Sequence, residues 1–233
     1  MATGYIGFSK SDLSQVFDVS SPKSCFSSLQ SYPMEIDGAI GGVLNGSPLI
    51  CGGKKSYETQ SSCYMHEKYS NTWKFHANMS SKRKHHSSTL IHDYLWITGG
   101  YDGSKSLDST EFIFSNGSVN NGPNMPAARH GHCLVTLDNG KVMILGGYPS
   151  LNYKNLMIFD PEDNTFNTGP SLLFNRVYFG CALFKSPLHN NRPVVLAAGG
   201  SEQKTAEILD YTNATTWEQS KHVNSFNIVN FSN

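Results

Sequence analysis

The sequence predicts an all-β fold of propeller type, and two independent repeats predict it. A run of bulky residues stopped by a glycine doublet occurs four times: PLICGG ending at Gly53, YLWITGG at Gly100, VMILGG at Gly147 and VVLAAGG at Gly200. The second glycines stand 47, 47 and 53 residues apart, a period that suits propellers rather than solenoids of shorter units. A second ruler runs through Val16-Phe17-Asp18, Tyr64-Met65-His66, Phe112-Ile113-Phe114, Ile158-Phe159-Asp160 and Ile208-Leu209-Asp210, at intervals of 48, 48, 46 and 50 residues.

Each element has a local reason. An apolar run of four or five residues is long enough for a buried strand and too short for a helix. The doublets Gly52-Gly53, Gly99-Gly100, Gly146-Gly147 and Gly199-Gly200 then turn the chain at positive φ and let neighbouring backbone come close. Turns after the second ruler, such as DPEDNT at 160–165, are rich in residues that bond their own backbone. An aromatic or apolar residue follows each: Phe26, Trp73, Val119, Phe166 and Trp217.

A glycine doublet, a later aromatic and then a tryptophan, at this period, resembles the kelch repeat. Gly52, Gly53, Tyr64 and Trp73 carry it in full, and Asp160-Pro161 to Phe166 with Gly169-Pro170, and Gly122-Pro123 to Pro126, resemble the ends of kelch units. Val119 departs from the tryptophan, and only Gly4-Tyr5 stands where a fifth doublet would be. The resemblance covers nearly the whole chain and implies one kelch β-propeller domain over 1–233, with four complete four-stranded blades at 32–79, 80–125, 126–171 and 172–221. Residues 1–31 are expected to give the outer strands of a partial blade. Residues 222–233, through SFNIVNF at 225–231, would give its inner strand, making a composite fifth blade from the two termini. Closure would remove two unpaired strand edges; the alternative is a fragment of a longer propeller.

Composition narrows the function classes. Lys plus Arg and Asp plus Glu are each 18, so no global field draws in nucleic acid or anionic lipid. Charged residues make up 15% of the chain, against about 25% in an average domain. No apolar run approaches the roughly 20 residues that span a bilayer as a helix. MATGYIG at the start has neither the basic residues nor the apolar core of a signal peptide, which makes the cytoplasm the default expectation and secretion the alternative.

Between the blades, Met79 to Arg83, Met125 to Arg129 and Leu172 to Arg176 each place an arginine four residues after an apolar anchor. By analogy with kelch propellers, the three guanidinium groups would lie near a channel mouth and grip an acidic peptide. Alternatively each pairs with a carboxylate of its own blade, Asp37, Asp102 and Glu202 being available. The loops after the doublets differ: KKSYETQS, YDGSKSL, YPSLNY and SEQKT. Regular strands with irregular loops are how a scaffold acquires one partner. Tyr57, Tyr101, Tyr148 and Tyr153 are the candidate contacts, because tyrosine buries area at little entropic cost.

His85, His86, His130 and His132 raise a metal site, yet a histidine three residues after the arginine recurs at His86 and His132, which argues for a structural role. The kelch resemblance includes copper-dependent galactose oxidases, whose site needs two histidines, two tyrosines and a cysteine. Cys63-Tyr64 and the histidines supply the types without the spacing. There is no nucleophile elbow and no phosphate-binding loop, so neither catalysis, nor a cofactor, nor a small-molecule substrate is expected. Of Cys25, Cys51, Cys63, Cys133 and Cys181, Cys51 ends one strand and Cys63 lies in the next, so that these two could come within disulfide range given suitable geometry. Cys133 and Cys181 are expected as small core residues. Asn45, Asn78, Asn116, Asn213 and Asn230 begin N-x-S/T sequons, a number that chance alone would nearly supply in so Asn- and Ser-rich a chain.

The expectation is therefore a non-catalytic protein-interaction module. The kelch resemblance offers ubiquitin-ligase substrate adaptors and actin binders as precedents. A secreted disulfide-bonded propeller and a metal-dependent enzyme are the alternatives.

Overall fold

The computed structural model describes residues 29–149, 156–201 and 203–220, together with short strands nearer the N-terminus. There β1 (Tyr5–Ile6) pairs with β2 (Ser9–Lys10), and β3 (Gln15–Phe17) with β4 (Cys25–Ser28). Then β5 (Ile40–Leu44) pairs with β6 (Ser47–Cys51), a small hairpin of β7 (Lys54–Lys55) and β8 (Glu58–Thr59) intervenes, and β9 (Ser62–Glu67) and β10 (Thr72–Asn78) complete a first four-stranded sheet. The second sheet is β11 (Ser87–Ile91), β12 (Tyr94–Thr98), β13 (Thr110–Phe114) and β14 (Val119–Asn121). The third is β15 (Cys133–Thr136), β16 (Val142–Leu145), β17 (Met157–Asp160) and β18 (Thr165–Thr168); the fourth is β19 (Gly180–Ser186), β20 (Arg192–Ala198), β21 (Ala206–Leu209) and β22 (Glu218–Gln219).

Every pairing is antiparallel, and all but β6 with β9, which the β7–β8 hairpin separates, join strands consecutive in the chain; one 3-10 turn, Pro187–His189, is the only helix among the described residues. The fold is all-β, with one four-stranded sheet inside each of the four segments read from the repeat. The expected closing strand at 222–233 lies outside the described residues.

The chain divides into two compact units. The first runs to Lys105 and takes in Thr110–Gly122; the second takes Ser106–Ser109 and the chain from Pro123 onward. Ser106–Ser109 joins the second unit through backbone bonds, Arg129 N–H donating to Leu107 O at 2.9 Å and Met125 N–H to Asp108 O at 2.8 Å.

In the first unit Leu44, Leu49, Cys51 and Cys63 of one sheet pack with Leu95, Ile97 and Ile113 of the next. In the second, Val135, Met143 and Leu145 pack with Val195, Ala197 and Leu209. The second strands carry the apolar runs because both their faces are covered: β16 is buried at every residue. The tryptophans of the motif tie successive repeats. Trp73 Nε1 donates to Gln30 O and Trp217 Nε1 to Pro170 O, each at 3.0 Å.

The glycine doublets have a steric cause. Gly52 and Gly146 sit at φ +63° and +60°, and a Cβ on either would collide with a backbone oxygen, that of Arg83 or of Arg176. It would also stand 2.8 Å from the ring of His86 in one case and of Phe179 in the other. The ring three residues after Arg83 and after Arg176 thus lies on the doublet of the preceding repeat, which gives buried His86 its place against Gly52. The second glycines donate to the same oxygens, Gly53 N–H to Arg83 O at 2.8 Å and Gly147 N–H to Arg176 O at 2.9 Å.

Candidate functional site

The three arginines expected at an exposed rim are inside. Arg83, Arg129 and Arg176 are 0%, 2% and 0% exposed. Each Nη1 donates to the carbonyl of the first glycine of its own doublet: Gly99 O at 2.6 Å, Gly146 O at 2.7 Å and Gly199 O at 2.7 Å. A carbonyl turned inward at the end of a buried strand needs a donor, and the guanidinium supplies it. Arg83 also pairs with Glu111, and Arg176 Nε with Glu207 Oε1 at 2.6 Å. In the third repeat Met157 fills that place, its sulfur 3.7 Å from Arg129 Nη2. Burial pulls the pKa of the Arg129 guanidinium down to about 10.

The pairing alternative thus holds for Arg83 and Arg176, with different acids from those expected. Asp37 is itself buried, Asp102 serves a loop, and Glu202 lies outside the described residues. Glu111 and Glu207 were visible in the sequence as the second residue of TEFIF and AEIL, the same place in two repeats.

One residue further along, the backbone is bonded again. The residue after each arginine forms a backbone bridge to the residue after the doublet. Lys84 N–H donates to Tyr101 O at 3.0 Å and receives at 2.8 Å; His130 and Tyr148 exchange bonds of 2.8 and 2.9 Å. Asp37 and Lys54 do the same at 3.2 and 2.8 Å, and Ser201 N–H donates to Val177 O at 2.8 Å. The backbone device is constant while its side chains change with every repeat.

In the first unit these positions border an open polar cleft of ≈ 430 Å³, lined by Tyr57, Glu58, Thr59, Lys82 and Asp102–Ser104. Tyr57 is 95% exposed on the turn of the β7–β8 hairpin. The Lys54 ammonium stands 6.0 Å from its ring centroid, and Lys84 stands 5.8 Å from that of Tyr101, the range of cation–π attraction. Asp102 accepts from Lys105 N–H at 2.8 Å and Ser104 N–H at 2.7 Å. Those amides, with the charges of Lys105 and Lys82, hold its carboxyl below the usual range.

In the second unit Ser106 Oγ lies 2.8 Å from His130 Nδ1, and the His130 ring stacks edge-on to Tyr148 at 5.4 Å. Tyr148 is 48% exposed. Of the four candidate tyrosines, Tyr57 and Tyr148 are therefore open to a partner, Tyr101 is half-buried, and Tyr153 lies outside the described residues. Sequence reasoning missed Lys82, Glu58 and Thr59, which carry no motif and meet only through the fold.

The cysteines form two bonds. Cys51 joins Cys63 across β6 and β9, as the sequence allowed. Cys133 and Cys181, read from the sequence as separate core residues, are joined as well. They sit 48 residues apart on the first strands of successive sheets, so one repeat of separation brings them side by side. Among the described residues no group of three His, Cys, Asp or Glu is placed to hold a metal.

No protein-family model matches the chain, and no curated protein matches it. Its structure is similar to a solved one described as "Structure of YjhT", with a TM-score of 0.72 and 12% sequence identity, over 91% of this chain and 83% of that one. A likeness at that identity shows a shared fold.

Proposed function

We propose that the chain is a kelch-type β-propeller, with a fifth blade shared between its termini, acting as a non-catalytic module that binds a partner polypeptide. The observation that carries the reading is the constant backbone bridge bearing changing side chains: Asp37 and Lys54, Lys84 and Tyr101, His130 and Tyr148. A frame whose backbone bonds repeat while the side chains at its bridge positions change suits recognition. The buried arginines support that frame from within, and the contact residues are Tyr57 and Tyr101, with Lys54 and Lys84 beside them, in the first unit and Tyr148, beside His130, in the second. Adaptor or actin-binding roles are the partner classes that the kelch resemblance brings.

The test is co-purification from the cells that make the protein, comparing wild type with a Tyr57→Ala, Tyr101→Ala, Tyr148→Ala variant of unchanged melting temperature. A partner held by wild type and lost by the variant supports the reading. A partner held equally by both overturns this contact set.

A further inference from the structure

Four N-x-S/T sequons fall among the described residues, and their number says little, but their places in the fold differ in kind. Asn116 stands exposed on the turn between β13 and β14, and its Oδ1 accepts from Ser118 Oγ at 2.7 Å and Ser118 N–H at 2.9 Å. Asn213 stands exposed on the turn after β21, with Thr215 exposed beside it. Both turns follow the third strand of their sheet. Thr98 pairs with Thr110 and Ala198 with Ala206, so the third strands start at the doublet end and each of these asparagines lies at the opposite end of its sheet.

Both asparagines are exposed, and each lies at the end of its sheet away from the doublet and its bridge. The other two sequons are less suited. Asn45 has Pro48 directly after its serine, and at Asn78 the middle residue Met79 is buried while Ser80 N–H is bound to Glu111.

The independent observation is redox chemistry. Four of the five cysteines are joined in two disulfides, and such bonds form and persist chiefly in oxidising compartments. Asparagine-linked glycosylation belongs to the same route. We infer that the chain matures in an oxidising secretory compartment and carries N-linked glycans on Asn116 and Asn213. The donor is a lipid diphosphate-linked oligosaccharide. The Asn amide nitrogen bonds to C1 of the first sugar, the bond from C1 to the diphosphate breaks, the diphosphate leaves with its electron pair, and the amide gives up one proton. This inference stands apart from the identity of any protein partner.

The test uses the native full-length chain isolated from the cells that make it. One portion is alkylated without reduction under denaturing conditions; another is treated with a glycan-releasing amidase in heavy-oxygen water, which turns each glycosylated Asn into a mass-tagged Asp. The expected result is tagged Asp at positions 116 and 213, four protected cysteines and one alkylated. Unmodified Asn116 and Asn213 overturn the glycan sites, and alkylation of all five cysteines overturns the compartment.

Discussion

The Arg83 guanidinium and the Glu111 carboxylate form an ion pair in which neither side chain has more than 1% of its surface exposed. Glu111 holds more than the arginine: Oε2 accepts from Ser80 N–H at 2.6 Å and Oε1 from Ser81 N–H at 3.1 Å. Glu207 repeats the arrangement, accepting from Arg176 and, at 2.6 Å, from Leu173 N–H. Each acid thus fixes the segment entering a sheet to that sheet's third strand, while the arginine fixes the doublet. Ile36, one repeat earlier than Arg83, fills the same place with an apolar side chain, packed with Tyr32, Ile50 and Trp73.

Removing one member of such a pair leaves a buried charge uncompensated, which costs about 3–5 kcal/mol. Glu111→Ala and Glu207→Ala are each expected to lower stability by that amount in urea unfolding, with the loss at Glu111 compounded by two freed amides. A loss under about 1 kcal/mol for either would show that the pair contributes little beyond its hydrogen bonds.

The doublets offer a contrast between conformational strain and collision. Gly46 and Gly52 both have positive φ, +73° and +63°, but a Cβ at Gly46 meets nothing within 4 Å. Gly46→Ala should cost only the left-handed penalty of about 1–2 kcal/mol. Gly52→Ala adds the clash with the Arg83 carbonyl and should cost roughly 3 kcal/mol or more, toward the upper end of single substitutions. Equal losses at the two positions would argue against close approach as the reason for the doublet.

The strands and doublets were legible because period and apolar length report directly on backbone conformation. Direction was not. The spacing of Arg83, Arg129 and Arg176 placed them correctly at the start of each sheet, yet nothing in it said that the side chains turn inward to glycine carbonyls. Position one repeat apart also carries a covalent meaning: Cys133 and Cys181 occupy matched strands of adjacent sheets, which is where a disulfide can form. The cleft was illegible for a different reason. Tyr57, Lys82 and Asp102 come from three separate loops, and only the stacking of two sheets brings them together.

The two disulfides should differ in both stabilisation and accessibility. By loop-closure entropy the Cys133–Cys181 bond, spanning 48 residues, is worth about 4 kcal/mol, and Cys51–Cys63, spanning 12, about 3 kcal/mol. Cys51 and Cys63 are fully buried, whereas Cys133 and Cys181 are half-buried. Under graded thiol reductant, timed alkylation should therefore label Cys133 and Cys181 before Cys51 and Cys63, with a first fall in melting temperature at that step. Labelling in the reverse order would mean that the first sheet opens more readily than the interface between the third and fourth.

Asp102 links the cleft to pH. Its carboxylate accepts the Lys105 and Ser104 amides, which lowers its folded-state pKa below the unfolded value of about 3.9. A depressed carboxyl pKa means that the folded state binds the proton less readily than the unfolded one. Its stabilisation is complete above about pH 3.9 and is lost as pH falls through the lower folded value. Asp102→Asn keeps the shape and removes the charge. Wild type should exceed the variant in stability near neutral pH, and the two should converge in acid. The Ser104 and Lys105 amides should exchange faster in the variant at neutral pH. If the stability gap persists unchanged into acid, the loop is held by its amide geometry alone, and the charge of Asp102 is free to act on whatever enters the cleft beside Lys82.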